Sequence, residues 1–198
     1  TYSPKTWLSL QVSASRVTRF PTLNQLYSAT SGNSDLDPEE AVKIETGYRL
    51  RPARHLTFLQ AYFRSDVSKL IDRKDKNSLY DNIDDVDLSG LESSLEFSGR
   101  RGSVRINHMY LDAFEYNFNG QTSLKDRRAY SPRHKIDYAL SMQFGFGLDV
   151  GHSGQIIVDR VGSDRKALPD YFLANLMAQY RINSSLAMFL NIRNLFDR

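Results

Sequence analysis

No cysteine occurs among the 198 residues, which removes disulfide cross-links and thiolate metal sites from consideration. No apolar run approaches the roughly twenty residues of a membrane helix. The opening residues, Thr1-Tyr2-Ser3-Pro4, carry no charged-then-apolar targeting signal. Neither sign of charge dominates, since 26 basic and 23 acidic side chains leave a net +3. With no basic run interleaved with stacking aromatics, a nucleic-acid surface is not expected. Catalytic constellations are missing too. No serine sits in a Gly-x-Ser-x-Gly setting and no carboxylates pair at strand ends, so an enzyme is not expected. His55, His108, His134 and His152 fall on separate segments without chelating spacing, so neither a metal site nor a cofactor is expected.

What is present is alternation. From His134, the residues Ile136, Tyr138, Leu140, Met142 and Phe144 fall on one side of an extended chain, and Lys135, Asp137, Ala139, Ser141 and Gln143 on the other. This is the period of a strand with two unlike faces. After Gly145-Phe146-Gly147 it resumes with Leu148, Val150, Ile156 and Val158, giving one long antiparallel hairpin. Strands of soluble domains usually run about five or six residues, whereas a tilted strand crossing a bilayer needs about nine to eleven. The lengths predict an all-β fold, an antiparallel transmembrane barrel. A mean hydropathy of -0.48 agrees with that, because half of each such strand faces a polar lumen.

Along the chain the same reading places strands at Trp7–Ala14, Ala41–Leu50, His55–Ser65, Leu91–Phe97, Val104–Leu111, His134–Phe144, Leu148–Val158, Tyr171–Ile182 and Leu186–Ile192. Long polar connections are expected at Ser15–Pro38, Asp66–Ser89, Ala113–Arg133 and Gly162–Asp170, with a short strand near Tyr80–Ile83. Tight turns fall at Arg51–Arg54, Gly99–Gly102, Gly145–Gly147 and Asn183–Ser185. Long and short connections alternate without a break, as in outer-membrane barrels with short periplasmic turns and long extracellular loops. About nine strands, or ten, is an awkward number for barrels that are almost always even and closed, and an unclosed sheet would leave bare edges in lipid, so the chain is expected to be part of a larger barrel. Lys43, Glu45, Arg49, Lys135, Asp137 and Gln143 are expected to line the lumen. Tyr138, Tyr180, Phe144, Phe172 and Tyr171 suit an interfacial girdle. Between Leu56, Phe58 and Tyr62 on one face and Leu59, Ala61 and Phe63 on the other, the outward face of the third strand stays open. Asp81, Asp84, Asp85 and Asp87 match no Ca²⁺-loop spacing and are expected in a solvated loop.

Two boxes then carry a resemblance. Arg19-Phe20-Pro21-Thr22-Leu23-Asn24-Gln25-Leu26-Tyr27 and Gly32-Asn33-Ser34-Asp35-Leu36-Asp37-Pro38-Glu39 resemble successive signatures of the TonB-dependent outer-membrane receptors. Further landmarks follow in the family's order, at Gly90-Leu91-Glu92, Pro132-Arg133-His134-Lys135, Leu168-Pro169-Asp170-Tyr171 and Asn194-Leu195-Phe196-Asp197. The family-motif positions are thus Phe20, Pro21, Leu23, Leu26, Tyr27, Gly32, Asn33, Asp35, Leu36, Pro38, Glu39, Asn194, Leu195 and Phe196. Two departures stand out: Ser34 replaces a usual proline, and the family's Phe-Arg-Ala-Pro is altered to Arg19-Phe20-Pro21. The histidine that haem receptors of the family carry between the two boxes is also missing, Ser28-Ala29-Thr30-Ser31 standing there.

The resemblance implies a barrel of twenty-two strands in a Gram-negative outer membrane, set among lipid and lipopolysaccharide. Residues 1–198 would be its C-terminal portion, with the plug domain and the last strand absent from this chain. It implies active uptake of a scarce nutrient, most often a ferric siderophore, energised by TonB through an upstream segment. A passive porin-like or autotransporter-type barrel, or a soluble all-β binding domain, is the alternative that the alternation alone allows.

Overall fold

The computed structural model describes residues 1–73, 77–118 and 123–196. Its strands are β1 (Tyr2–Lys5), β2 (Leu8–Arg19), β3 (Glu39–Ala53), β4 (Leu56–Asp72), β5 (Asp81–Ser98), β6 (Gly102–Phe118), β7 (Ser123–Arg127), β8 (His134–Gln143), β9 (Leu148–Val158), β10 (Arg160–Val161), β11 (Ala167–Leu168), β12 (Tyr171–Arg181) and β13 (Ala187–Ile192). A single short helix, α1 (Leu23–Tyr27), joins them. The main sheet runs β1-β2-β3-β4-β5-β6-β8-β9-β12-β13, an antiparallel meander of sequence neighbours. β7 also pairs with β6, on the side that β8 occupies lower down. β7 and β8 therefore act as one strand interrupted at residues 128–133. β10 and β11 prolong the β9–β12 pair as a small separate hairpin. Counted by crossings, the sheet has nine strands plus the short β1.

Register turns the alternation into two faces. Leu10, Tyr48, Gln60, Ser93, His108 and Ile136 succeed one another as partners across the sheet, and so do Gln11, Gly47, Ala61, Glu92, Met109 and Lys135. The first row belongs to a face carrying Val12, Ile44, Tyr62, Leu95, Ile106, Leu140, Met142, Tyr180, Met188 and Leu190, all well exposed. So broad an apolar face exceeds what a soluble monomer shows, and suits lipid. The second row belongs to a mostly polar face, on which both concavities of the sheet open. The outward face of β4 is thereby decided: Leu56, Phe58 and Tyr62 share the apolar side, while Leu59, Ala61 and Phe63 oppose Arg49, Gly47 and Glu45. Tyr171 pairs with Ile157 on the inner row, one position off Phe172 on the outer one.

Three expected loops are corrected. β2 continues to Arg19, β4 and β5 reach Asp72 and Asp81, and β6 with β7 occupies much of 113–127. At 17, 18 and 17 residues, β4, β5 and β6 outrun the membrane, which a tilted strand crosses in about nine to eleven. Backbone pairing persists in their upper halves although the hydrophobic alternation has ended, with Ile71, Val86 and Ala113 buried there. The outer row changes character at that level, with ion pairs Arg16–Glu40, Arg64–Asp66 and Arg133–Asp112. The four aspartates from Asp81 to Asp87 thus belong to β5.

The short-turn end is closed locally. Gly99 N–H donates to Gly102 O at 2.8 Å, and Phe144 N–H to Leu148 O at 2.7 Å. Asn183 Oδ1 accepts from the amides of Ser185 and Leu186 at 2.9 Å each, the side-chain mimicry that favours Asn in turns. On the outer row Tyr138 lies across Gly154, where a Cβ would fall 2.6 Å from its hydroxyl. Its ring also neighbours His152 and Phe172, and Phe172 neighbours Phe196. Four aromatic rings therefore line one stretch of the outer face.

Candidate functional site: a polar inner wall and the segment across its rim

The larger concavity, about 710 Å³, is lined by Gln11, Glu45, Arg49, Glu92, Ser94, Asn107, Lys135 and Asp137 among others. Of the expected luminal residues, Glu45, Arg49, Lys135 and Asp137 thus meet there. Lys43 and Gln143 lie on the same row outside that concavity. Most of the wall is internally paired. Lys43 Nζ lies 2.7 Å from Glu45 Oε1, and Ser13 Oγ donates to Glu45 Oε2 at 3.2 Å. Lys135 Nζ is 3.2 Å from Asp137 Oδ2, while Gln155 Nε2 donates to Asp137 Oδ1 at 2.7 Å. Ser94 Oγ donates to Asn107 Oδ1 at 2.8 Å. Arg49 and Glu92 differ: both are exposed, and neither has a hydrogen bond or ion pair among the described residues. Within this concavity the Arg49 and Glu92 side chains are thus left without a partner among the described residues.

The two motif boxes form one folded segment at the long-connection end. Thr22 caps α1, its side chain accepting from the Gln25 amide while the Gln25 side chain accepts from the Thr22 amide, a reciprocal capping box. The chain then turns back: Gly32 N–H donates to Ser28 O and Asn33 N–H to Gln25 O, both at 2.8 Å. A Cβ at Gly32 would fall 2.5 Å from Ser28 N, so only glycine fits this close approach. Asn33 Nδ2 donates to Tyr80 O at 2.9 Å, and its Oδ1 accepts from Asp35 N at 3.0 Å. From the tip of β5, Asn82 Oδ1 accepts from Asp37 N at 2.8 Å, and its Nδ2 donates to Asp37 O and Lys69 O.

Glu39 completes the latch. It is 7% exposed, accepts from both Nε and Nη2 of Arg19, and accepts from Ile71 N at 2.8 Å. Burial pushes its carboxyl upward, but the Arg19 hydrogen bond, the Ile71 amide and the charges of Arg19 and Arg128 outweigh that and hold it below the usual glutamate range. Leu36, Ile71, Val86 and Ala113 are the buried apolar side chains of this end. By contrast Phe20, Leu23 and Tyr27 are 72%, 76% and 70% exposed, so half the first box points away from the sheet.

A second network ties the later connections. Asp159, between β9 and β10, lies 2.6 Å from Arg127 and 3.1 Å from Arg133. The Arg127 hydrogen bond, opposed by slight desolvation and aided by both positive charges, holds its carboxyl below the ordinary aspartate range. Asp170 Oδ1 accepts from Asp159 N at 2.9 Å, and Arg160 donates to Pro169 O and stacks on Tyr171. The Leu168-to-Tyr171 landmark is thus a loop clasp. At the chain's far end Leu195 N–H donates to Ala174 O at 2.7 Å, and Phe196 lies 5.6 Å from Phe172. Asn194 takes a left-handed backbone, φ 49°, with its amide on Asn175 Oδ1. Asp75 and Asp197 lie outside the described residues. Sequence reasoning missed the Arg19–Glu39 pair, the role of Asn82 and the meeting of His108 with His134, because each depends on cross-strand register.

The family model described as "TonB dependent receptor-like, beta-barrel" matches residues 1–195. The vitamin B12 transporter BtuB of Vibrio vulnificus is 25% identical over 203 residues, which take in 99% of this chain and 31% of that protein. The corresponding transporter of Photobacterium profundum is 27% identical over 96% of this chain and 32% of its own length. The chain therefore spans about a third of the curated relatives it matches. Among solved structures, the siderophore receptor PiuA of Acinetobacter baumannii superposes with TM-score 0.77 at 20% identity, over all of this chain and 31% of that one. The ferric-catecholate import receptor Fiu of Escherichia coli K12 does so with TM-score 0.74 at 22% identity, over all of this chain and 30% of its own.

Proposed function

This chain belongs to the TonB-dependent receptor β-barrel family, and from that premise we propose that it is the C-terminal portion of an outer-membrane receptor for energised uptake of a scarce nutrient. The barrel would be larger than this sheet and hold an upstream plug domain that contacts TonB. One observation carries the reading: the outer face is apolar, while the concave inner wall leaves Arg49 and Glu92 unpaired among the described residues. Such charges give a plug groups to dock on, and the family match over residues 1–195 favours that reading over a passive pore, whose lumen also carries charge. The rim segment from Phe20 to Glu39 and the clasp around Asp159 would hold the outer binding surface in shape, and the nutrient would meet the connections above them.

We take a ferric siderophore as the first substrate class to test. Cobalamin is a specific second reading, favoured by the two vitamin B12 transporters among the sequence relatives. Radiolabelled uptake by cells carrying or lacking the full-length protein, across a panel of ferric siderophores, haem and cobalamin, decides between them. Uptake that needs both the receptor and TonB is expected for one class. Uptake of small solutes irrespective of TonB would replace the receptor with a passive pore.

A further inference from the structure

The apolar outer row is broken at one level. There the register sets Tyr48, Gln60, Ser93 and His108 side by side on β3, β4, β5 and β6. Tyr48 Oη donates to Gln60 Oε1 at 2.6 Å, and His108 Nε2 lies 3.1 Å from Nδ1 of His134 on β8. The imidazole planes are within 9° of parallel and their centroids are 5.4 Å apart. With the nitrogens so much closer than the centroids, the rings meet edge to edge, each presenting one nitrogen to the other. A neutral imidazole has one donor and one acceptor nitrogen, so a single proton fills that gap.

A cation can take the proton's place. Two imidazole nitrogens bound to one ion at about 2.0–2.1 Å stand about 2.9–3.4 Å apart in square or tetrahedral geometry. The observed 3.1 Å lies inside that span, and chelation needs each ring to swing so that its nitrogen faces the ion instead of the other nitrogen. Both rings are half-buried. Tyr110 flanks His134, with centroids 5.1 Å apart. The next outward position, Asp112, is held by Tyr110 Oη at 2.6 Å and Arg133 Nε at 3.2 Å. The pair thus sits where the apolar face gives way to charge, a level that water and dissolved ions reach.

We propose that His108 and His134 form a chelating pair for a borderline transition-metal cation of the Zn²⁺, Cu²⁺ or Ni²⁺ class on the outer face of the barrel. The ion displaces the shared proton to solvent, takes both imidazoles neutral, and fills its remaining positions with water. By register both histidines lie on the outer row, and His108 also borders the larger concavity.

The test uses the full-length protein in detergent micelles, stripped with chelator and titrated with Zn²⁺ and Cu²⁺. Wild type is expected to bind one more equivalent than His108→Asn or His134→Asn, with two-nitrogen coupling in the Cu²⁺ resonance spectrum. Either substitution should weaken that equivalent by at least the roughly ten- to hundredfold that loss of a supporting partner alone costs a metal site. His152→Asn should leave it intact. Identical titrations of wild type and the double variant would overturn the proposal. Should the Asn variants fail to fold, wild type decides alone. Zn²⁺ must then protect His108 and His134 from carbethoxylation by diethyl pyrocarbonate, mapped by mass spectrometry, and unchanged modification refutes the site.

Discussion

Glu39 shows what single residues do in this sheet. Its carboxylate closes three elements at once, through Arg19 at the end of β2, its own position opening β3, and the Ile71 amide near the end of β4. Because Arg19 is about half exposed, the pair is worth less than a fully buried one. Glu39→Gln should cost about 1–3 kcal/mol, the range for stranding a partly buried polar group. The Ile71 amide and the 20–38 segment should then exchange hydrogen faster in the full-length protein, and an unchanged rate would remove Glu39 from the latch. The sign of its pH dependence follows from the lowered pKa. The stabilisation is fully present above the ordinary glutamate value of about 4.3, and is lost as pH falls through the lower folded value. Wild type should therefore keep its protection down to about pH 4 and lose it below, whereas the glutamine variant should lack this transition. The motif positions were legible in the sequence. That Arg19 and Glu39 grip each other was not, because the 20–38 segment folds back between them.

At the scale of the element, β8 was the most legible strand and β4 the least. β8 reads apolar-polar from Ile136 to Met142 with a single apolar exception, Ala139, small enough for either face. β4 puts Leu59, Ala61 and Phe63 opposite the side that holds Phe58 and Tyr62, and only its pairing with β3 settles which faces out. The upper halves of β4, β5 and β6 were illegible for a different reason. There aspartate and asparagine enter the ladder beside a few buried apolar side chains such as Ile71, Val86 and Ala113, so the two-faced alternation is lost. Two adjacent substitutions in β8 separate face from strand. Leu140 is outward and 41% exposed, so Leu140→Arg near mid-depth should cost the barrel about 2–4 kcal/mol in vesicles. Ala139→Arg on the inner row should be near neutral. Denaturant titration of the two full-length variants reads the difference, and equal losses would mean that the alternation does not mark lipid and lumen.

The whole molecule is an open sheet with an unpaired edge at each side. Beyond Leu10, where pairing with β1 stops, β2 presents residues 11–19 with no neighbour on that side among the described residues. β13 is likewise paired only with β12. Each free edge exposes a row of amides and carbonyls that hydrocarbon does not solvate, at several kcal/mol apiece. In water the edges are tolerable, but the apolar outer face from Val12 to Leu190 is not, and a chain with both features is prone to edge-to-edge assembly. Neither solvent suits these 198 residues alone, and closure with further strands answers both difficulties at once. Expressed by itself, the chain should therefore give no monodisperse, detergent-free monomer with β-rich circular dichroism. The full-length protein should fold in detergent into a barrel that resists heat until boiled. Size-exclusion chromatography and heat-modified gel mobility make the comparison. A soluble, β-rich monomer of the isolated chain would show that the outer face is covered by something other than lipid, and the membrane reading would fall with it.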